Sequence, residues 1–208
     1  MSHEPATHGQ PTWAGHRSGE EFNVVVVCRA NHCRSPLMEF LLRQQIELRS
    51  LNWTVTSAGT EARPGQRVHP FTAEILAERE IPTHGWVSRA LTPSVLDGAD
   101  LVLTASEDQR QLVESLDAYL VGRTFPLLQF AYLARSVHSA RRLAAAELGP
   151  WLIQESYRRR KRLENLPVGQ RDLEDPMGRS MNRFRRCAQL ISDAYADVLA
   201  SGPPVRWG

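Results

Sequence analysis

Asn23-Val24-Val25-Val26-Val27-Cys28-Arg29-Ala30-Asn31-His32-Cys33-Arg34-Ser35-Pro36 is the stretch around which this chain is organised. Four consecutive β-branched, apolar valines suit a strand buried on both faces. Cys28 closes that strand, and Arg34 follows six positions later. Ser35 and Pro36 read as a helix N-cap and first helical residue, and Leu37, Phe40, Leu41 and Leu48 continue at helical spacing. Strand, tight loop and helix N-terminus therefore succeed one another, with a thiol at one end of the loop and a guanidinium at the other.

That order has a chemical use. The N–H groups of a short loop and of the first helical turn converge on one spot and favour an anion there. An arginine can fork two N–H donors onto two phosphate oxygens, which lysine cannot. A thiolate beneath a phosphate bound in this way is an in-line nucleophile at phosphorus, so the loop is built for phosphoryl transfer. The C-x5-R spacing alone is weak support, because 24 of the 25 basic residues are arginine and only Lys161 is lysine. The buried strand before it and Ser-Pro after it give it weight.

Composition bounds the rest. A length of 208 residues fits one domain, and a net charge of +2 argues neither for a general nucleic-acid binder nor for an acidic partner. Three cysteines, an odd number at low density, fit a reducing cytoplasm. The first twenty residues are polar and aperiodic and read as a disordered tail, in which His3, His8 and His16 are too irregularly spaced for a metal tract. Neither a signal-peptide core nor an apolar run of about 18–20 residues stands out, so a soluble cytoplasmic protein without a membrane span is expected.

Further along, Trp53 to Ser57 alternates as a second strand. His69 to Arg79 carries Phe71, Ile75 and Leu76 at helical spacing, and Thr92-Pro93 opens a short helix. Leu101 to Leu103 reads as a short buried strand, and Arg123 to Leu127 as a fourth. Ser106 and Gln109 suggest a capping box for a helix with Leu112, Val113 and Leu116. Strands alternating with helices imply a three-layer α/β/α fold around a four-stranded parallel sheet, with ligands beyond the strand C-termini, where Cys28 lies. From Arg183 onward Phe184, Cys187, Ala188, Ile191, Ala194, Tyr195 and Val198 mark a long closing helix, with Cys187 on its apolar face.

Between about 129 and 170 the periodicity predicts a helix through Tyr132, Leu133, Val137, Leu143 and Leu148. A break at Gly149-Pro150 and a second helix with Trp151, Leu152 and Tyr157 follow. Residues 129–165 hold eight basic residues against three acidic ones, including the run Arg158-Arg159-Arg160-Lys161-Arg162. That run is a candidate docking surface for an anionic partner, and a solvated helical hairpin is the plainer account.

Val27-Cys28-Arg29-Ala30-Asn31-His32-Cys33-Arg34-Ser35-Pro36 resembles the phosphate loop of the low-molecular-weight protein tyrosine phosphatases. Ser57-Ala58-Gly59-Thr60 resembles their second-strand motif, and Asp175-Pro176 their general-acid motif. The resemblance covers about residues 22–127 and 171–200, leaves 21–208 as a single bacterial phosphatase domain, and makes 129–170 a helical insertion. It implies hydrolysis of phosphotyrosine in proteins, or of another phosphomonoester, through a cysteinyl-phosphate, without cofactor or metal. Cys28 is then the nucleophile, Arg34 the phosphate-binding residue and Asp175 the general acid. Arg29, Ala30, Asn31, His32, Cys33 and Ser35 make up the substrate-binding loop. Asn31 is expected in the left-handed region, braced by Ser35 and Ser57, while Ser35 also donates to Cys28. Cys33 is implied as a redox partner that forms a reversible disulfide with the nucleophile. Two thiols and His32 have no fourth ligand in sequence, so zinc is not expected.

Three departures from that pattern stand out. Ala30 replaces a glycine, which requires negative φ or strain. Trp86 replaces a histidine and should deprive the Asn31 brace of a partner. Arg29, His32, Arg63, Met177 and Gly178 stand where the family has an apolar, aromatic cleft, which weakens the case for a phenyl ring. Two alternatives follow: an arsenate reductase resolved by an external thiol, since no cysteine lies between Cys33 and Cys187, and a phospho-ligand-binding module without turnover.

Overall fold

The valine run forms the first strand and separates two cores. The structure is a computed structural model in which residues 21–137 and 143–205 are described. In β1 (Phe22–Cys28) Val24 and Val26 face one side of the sheet and Val25 and Val27 the other. Each side is apolar because each is covered by helices. β1 pairs in parallel with β2 (Trp53–Gly59) and β3 (Leu101–Thr104), and β3 pairs with the short edge strand β4 (Thr124–Pro126). The order β2-β1-β3-β4 places the Cys28 end of β1 between its neighbours.

The larger core lies beneath α1 (Arg34–Arg49), α2 (Pro70–Ala77), α5 (Leu127–Arg135), α6 (Ala145–Arg158) and α7 (Met181–Val198). The smaller one lies under α3 (Pro93–Leu96) and α4 (Glu107–Leu116), with Leu96, Val102, Val113 and Leu120 buried together. This is the expected three-layer α/β/α arrangement. Cys187 lies on the buried face of α7, as its periodicity predicts. The expected tail over residues 1–20 lies outside the described residues, as do residues 138–142. The one helix expected through Tyr132, Val137, Leu143 and Leu148 does not form, since α5 ends at Arg135, α6 begins at Ala145, and Val137 and Leu143 lie outside both.

Several local readings change. The first helix starts at Arg34 with Cys33 as its N-cap, two residues earlier than Ser35-Pro36 suggests. Pro36 then falls within the first turn, where its missing N–H has no intrahelical acceptor to lose. The capping box at Ser106 does not form, since that side chain makes no cap bond and Glu107 N donates instead to Asp172 Oδ1 at 3.1 Å. Leu112 and Leu116 are exposed, leaving Val113 to bury that helix. Gly149-Pro150 does not break the second helix of the 129–170 segment, which runs through both residues. The Phe22 ring packs on Gly149 so closely that a Cβ there would lie 2.5 Å from it. Buried Leu148, Leu152 and Ile153 hold the helix together across the proline.

The basic run is also spent differently from its solvated appearance. Arg158 pairs with Glu155 at 3.1 Å, and Arg159 binds the same carboxylate. Arg160 donates to Thr124 O at 3.0 Å, lies 4.6 Å over the Phe125 ring and faces Glu114 at 3.7 Å. Lys161 and Arg162 are exposed. No helix of the described residues is long and apolar enough to cross a membrane.

Candidate active site

Beyond the C-terminal end of β1, the chain makes a tight loop before α1 and closes it with one left-handed residue. That residue is Asn31, at φ 48°. Asparagine tolerates this conformation better than most side chains do, and here its amide is fully used. Asn31 Nδ2 donates to Ser35 Oγ at 2.9 Å and to Ser57 Oγ at 2.8 Å, while Oδ1 accepts from Arg89 N at 2.8 Å. Ala30 keeps negative φ, so the residue that replaces a glycine carries no backbone strain.

The second-strand motif has a steric purpose. A Cβ on Gly59 would lie 2.6 Å from Asn31 N and 2.7 Å from Arg29 O, so only glycine lets β2 press against the loop. The contact is sealed by Thr60 N donating to Cys28 O at 3.0 Å and Glu61 N donating to Arg29 O at 2.7 Å.

Within this frame Cys28 is buried, and its Sγ lies 3.0 Å from Ser35 Oγ. A hydroxyl at that distance can donate to a thiolate, and Ala58 O at 3.3 Å is its other acceptor. Arg34 is buried as well. Its Nη1 donates to Leu173 O at 3.1 Å and its Nη2 to Asp175 Oδ2 at 2.7 Å. Asp175 Oδ1 accepts from Met177 N at 3.2 Å. The loop carrying Asp175 is anchored by Leu173 N on Ala105 O at 2.9 Å and by Asp172 at the N-terminus of α4. Burial pushes the Cys33 thiol up to about 12, with Cys28 adding to the effect, so Cys33 is a protonated thiol at neutral pH.

Cys28, Arg29, Ala30, Cys33, Arg34, Glu61, Asp175 and Met177 line one cleft of about 270 Å³. Residues 28 and 34 of the loop and the distant residue 175 thus meet at one place. Of the other loop residues assigned to substrate, Arg29, Ala30 and Cys33 line the cleft, whereas Asn31 and Ser35 are fully buried beneath it. His32 turns away. Its ring meets His69 edge-on at 5.5 Å between centroids, and its Nδ1 is buried without a partner among the described residues. Of the expected cleft walls, Arg29 and Met177 are present, while His32, Arg63 and Gly178 are not among the lining residues and Glu61 is.

The residue that sequence reasoning missed is Glu39. It is buried on α1, accepts from Ser57 Oγ at 2.5 Å and from Trp86 Nε1 at 3.0 Å, and pairs with Arg43 at 2.5 Å. Buried carboxylates persist where several donors satisfy them. Trp86 therefore does not deprive the Asn31 brace of a partner, contrary to expectation. Its indole N–H supports Ser57 through Glu39. The available signal was a lone carboxylate inside the apolar run Leu37 to Leu42, with Arg43 four residues on.

Comparison with known proteins bears on the family and the fold. The sequence model described as "Low molecular weight phosphotyrosine protein phosphatase" matches residues 23–138, so α6 and the Asp175 loop lie beyond the matched stretch. The chain is 33% identical over 108 residues to a protein-arginine-phosphatase of Bacillus subtilis, covering 52% of this chain and 71% of that protein. It is 32% identical over 110 residues to the low-molecular-weight protein-tyrosine-phosphatase PtpA of Staphylococcus saprophyticus, covering 52% and 70%. Among solved structures, a low-molecular-weight protein tyrosine phosphatase from T. tengcongensis superposes with a TM-score of 0.65 at 21% identity, over 86% of this chain and 99% of that one. The YwlE arginine phosphatase, solved as a cysteine-to-serine mutant with a phosphorylated active-site serine, gives a TM-score of 0.64 at 23% identity, over 86% and 94%.

Proposed function

The chain belongs to the low-molecular-weight phosphotyrosine protein phosphatase family and is a cysteine-based phosphatase, and from that premise we propose that Cys28 is its nucleophile, Arg34 its phosphate anchor and Asp175 its general acid. The observation that carries this assignment is the shared cleft. Cys28, Arg34 and Asp175 line it together, and Ser35 lies 3.0 Å from the nucleophilic sulfur.

The substrate's phosphoryl oxygens take the Arg34 guanidinium, whose Nη2 lies 2.7 Å from Asp175 Oδ2. Asp175, displaced from that pair, faces the leaving group. Cys28 Sγ attacks phosphorus in line, an S–P bond forms, and the P–O bond to the side chain breaks. Asp175 supplies the proton that the departing oxygen needs. Water then attacks the cysteinyl-phosphate, Asp175 takes its proton, and the S–P bond breaks with Ser35 donating to the leaving thiolate. Arg34 serves both steps, because its fork matches the equatorial oxygens throughout. Under peroxide, Cys33 attacks the Cys28 sulfenic acid and water leaves as the disulfide forms. Its high pKa requires that its proton depart during the attack.

Phosphotyrosine in proteins is the favoured substrate. A second reading takes phosphorylated arginine, because the Bacillus subtilis relative is a protein-arginine-phosphatase and two carboxylates, Glu61 and Asp175, line the cleft. Arg29 already neutralises Glu61, which favours the first reading. Docking of an anionic partner is left to Lys161 and Arg162, since the other three basic residues of the run make intramolecular contacts. A cytoplasmic setting is supported by three free thiols in a cysteine-dependent enzyme.

Cys28→Ser tests the assignment. It should abolish release of phosphate from aryl phosphates and leave binding of inorganic phosphate and the fold intact. Turnover above about a tenth of wild type, well outside the loss expected for a nucleophile, would remove Cys28 from the mechanism.

A further inference from the structure

One pair in the cleft wall has no part in the chemistry above. Arg29 follows the nucleophile directly, and Glu61 lies two residues past the end of β2. They are tied twice, by Arg29 Nε donating to Glu61 Oε2 at 2.8 Å and by Glu61 N donating to Arg29 O at 2.7 Å. Their side chains are 63% and 62% exposed. An exposed ion pair of this kind adds little to stability, so its presence at the rim of a catalytic cleft calls for another reason.

We propose that Arg29, held in place by Glu61, is the stacking wall that receives the aryl ring of a phosphotyrosine side chain, with Met177 and Ala30 supplying the remaining apolar contact. The proposal deepens the phosphatase reading and rests on it. A guanidinium is planar, delocalised and weakly hydrated, and it stacks on aromatic faces. Its aliphatic stem adds carbon surface, and a thioether packs favourably against a ring. The missing aromatic walls are thereby replaced by an arginine plane and a methionine.

Glu61 is the positioning residue of this device. Arg29 has two competing attractions in the same cleft, the carboxylate of Asp175 and the substrate phosphate itself. The guanidinium is pushed above its ordinary value first by the hydrogen bond to Glu61, and Asp175 adds to it, so both carboxylates act on Arg29. Unrestrained, it would fold onto the phosphate or the general acid and abandon the wall. Anchoring at Nε leaves the faces of the plane free.

Calorimetric dissociation constants for phenylphosphonate, methylphosphonate and inorganic phosphate test this, since none of these ligands is turned over. Arg29→Ala removes the charge that neutralises Glu61 and should weaken every anion somewhat, but phenylphosphonate about fivefold more than methylphosphonate, the size of an exposed cation–π contact. Arg29→Lys keeps the charge without the plane, so it should lose the same aryl preference as alanine while leaving methylphosphonate unchanged. Arg29→Leu should recover part of the aryl preference. Glu61→Gln releases Arg29, so phenylphosphonate should weaken while inorganic phosphate binds more tightly, a change of opposite sign that a merely structural role would not produce. Equal effects of Arg29→Ala on the two phosphonates, full aryl preference in Arg29→Lys, or parallel weakening of phosphate and phenylphosphonate in Glu61→Gln would each overturn the proposal. Turnover does not enter these measurements, so such a result would leave the phosphatase reading standing. Failure of Cys28→Ser to stop turnover would count against the phosphatase assignment through kinetics alone, without altering these dissociation constants.

Discussion

Two arginine-bearing regions of this molecule look alike in sequence and behave oppositely in the fold. The loop from Cys28 to Ser35 and the run from Arg158 to Arg162 both present guanidinium groups that suit an anion. In the loop, Arg34 is buried, with Nη1 on the Leu173 carbonyl and Nη2 on the Asp175 carboxylate, which is half-exposed and lines the cleft. In the run, Arg160 is half-buried but spent on Thr124 O, the Phe125 ring and Glu114. Thr124 belongs to the edge strand β4, so Arg160 covers a sheet edge that would otherwise present an open carbonyl. An arginine binds a ligand where its partners are displaceable, and it supports the fold where they are not.

The largest test of this contrast falls on the displaceable partner. Asp175→Asn should slow cysteinyl-phosphate formation from an unactivated aryl phosphate by on the order of 10²–10⁴. The effect should shrink for nitrophenyl phosphate, whose leaving group needs a proton less. Pre-steady-state bursts across substituted phenyl phosphates measure this, and an unchanged leaving-group slope would exclude Asp175 as the acid.

The two arginines themselves should then separate activity from stability. Arg34→Lys should lower kcat by about 10²–10³, as loss of an oxyanion donor does, with a modest change in melting temperature. Arg160→Ala should destabilise the fold by about 1–3 kcal/mol through a lost carbonyl partner and ring contact, with kcat on nitrophenyl phosphate unchanged. Lys161→Ala and Arg162→Ala should remain within about 0.5 kcal/mol, as exposed positions do. Denaturant titration beside steady-state kinetics reads both quantities. Loss of kcat in Arg160→Ala would break the contrast.

The smallest effect concerns pH behind the loop. Burial, and then His32, lower the pKa of His69, whose Nδ1 accepts from Phe71 N at 3.2 Å. The unfolded chain therefore takes up this proton first, so stability should decline as pH falls below the unfolded value of about 6.5 and level off below the folded one. His69 is half-exposed, so solvent screening keeps the effect slight. Urea midpoints between pH 5 and 7.5 should show less pH dependence in His69→Asn, which can retain a cap acceptor. An identical dependence in both proteins would remove His69 as its source.

Much of the site is legible before any fold is known. Valines on both faces, a thiol at the strand's end and a guanidinium six residues on are local facts, and local sterics carry them into a strand, loop and helix. The helix start differs by two residues because Ser35-Pro36 carries a strong capping signal, while the left-handed turn at Asn31 ends the loop sooner. The break expected at Gly149-Pro150 fails for a related reason. Those residues signal a break in isolation, yet Gly149 is the place where the Phe22 ring packs against the helix.

Taken alone, the sequence determined the strand-loop-helix unit, the identity of its thiol and guanidinium, and the alternation that leads to a parallel sheet. Each of these rests on contacts within a few residues or on a hydrophobic period. Only the tertiary structure decided that Asp175 meets Arg34, that Glu39 and Trp86 brace Ser57 from behind, that Glu61 fixes Arg29 at the mouth, and that Arg160 faces inward. These pairings join residues from 18 to 141 positions apart. Which distant carboxylate or carbonyl a side chain reaches depends on how helices pack across the sheet, and no local pattern encodes that distance.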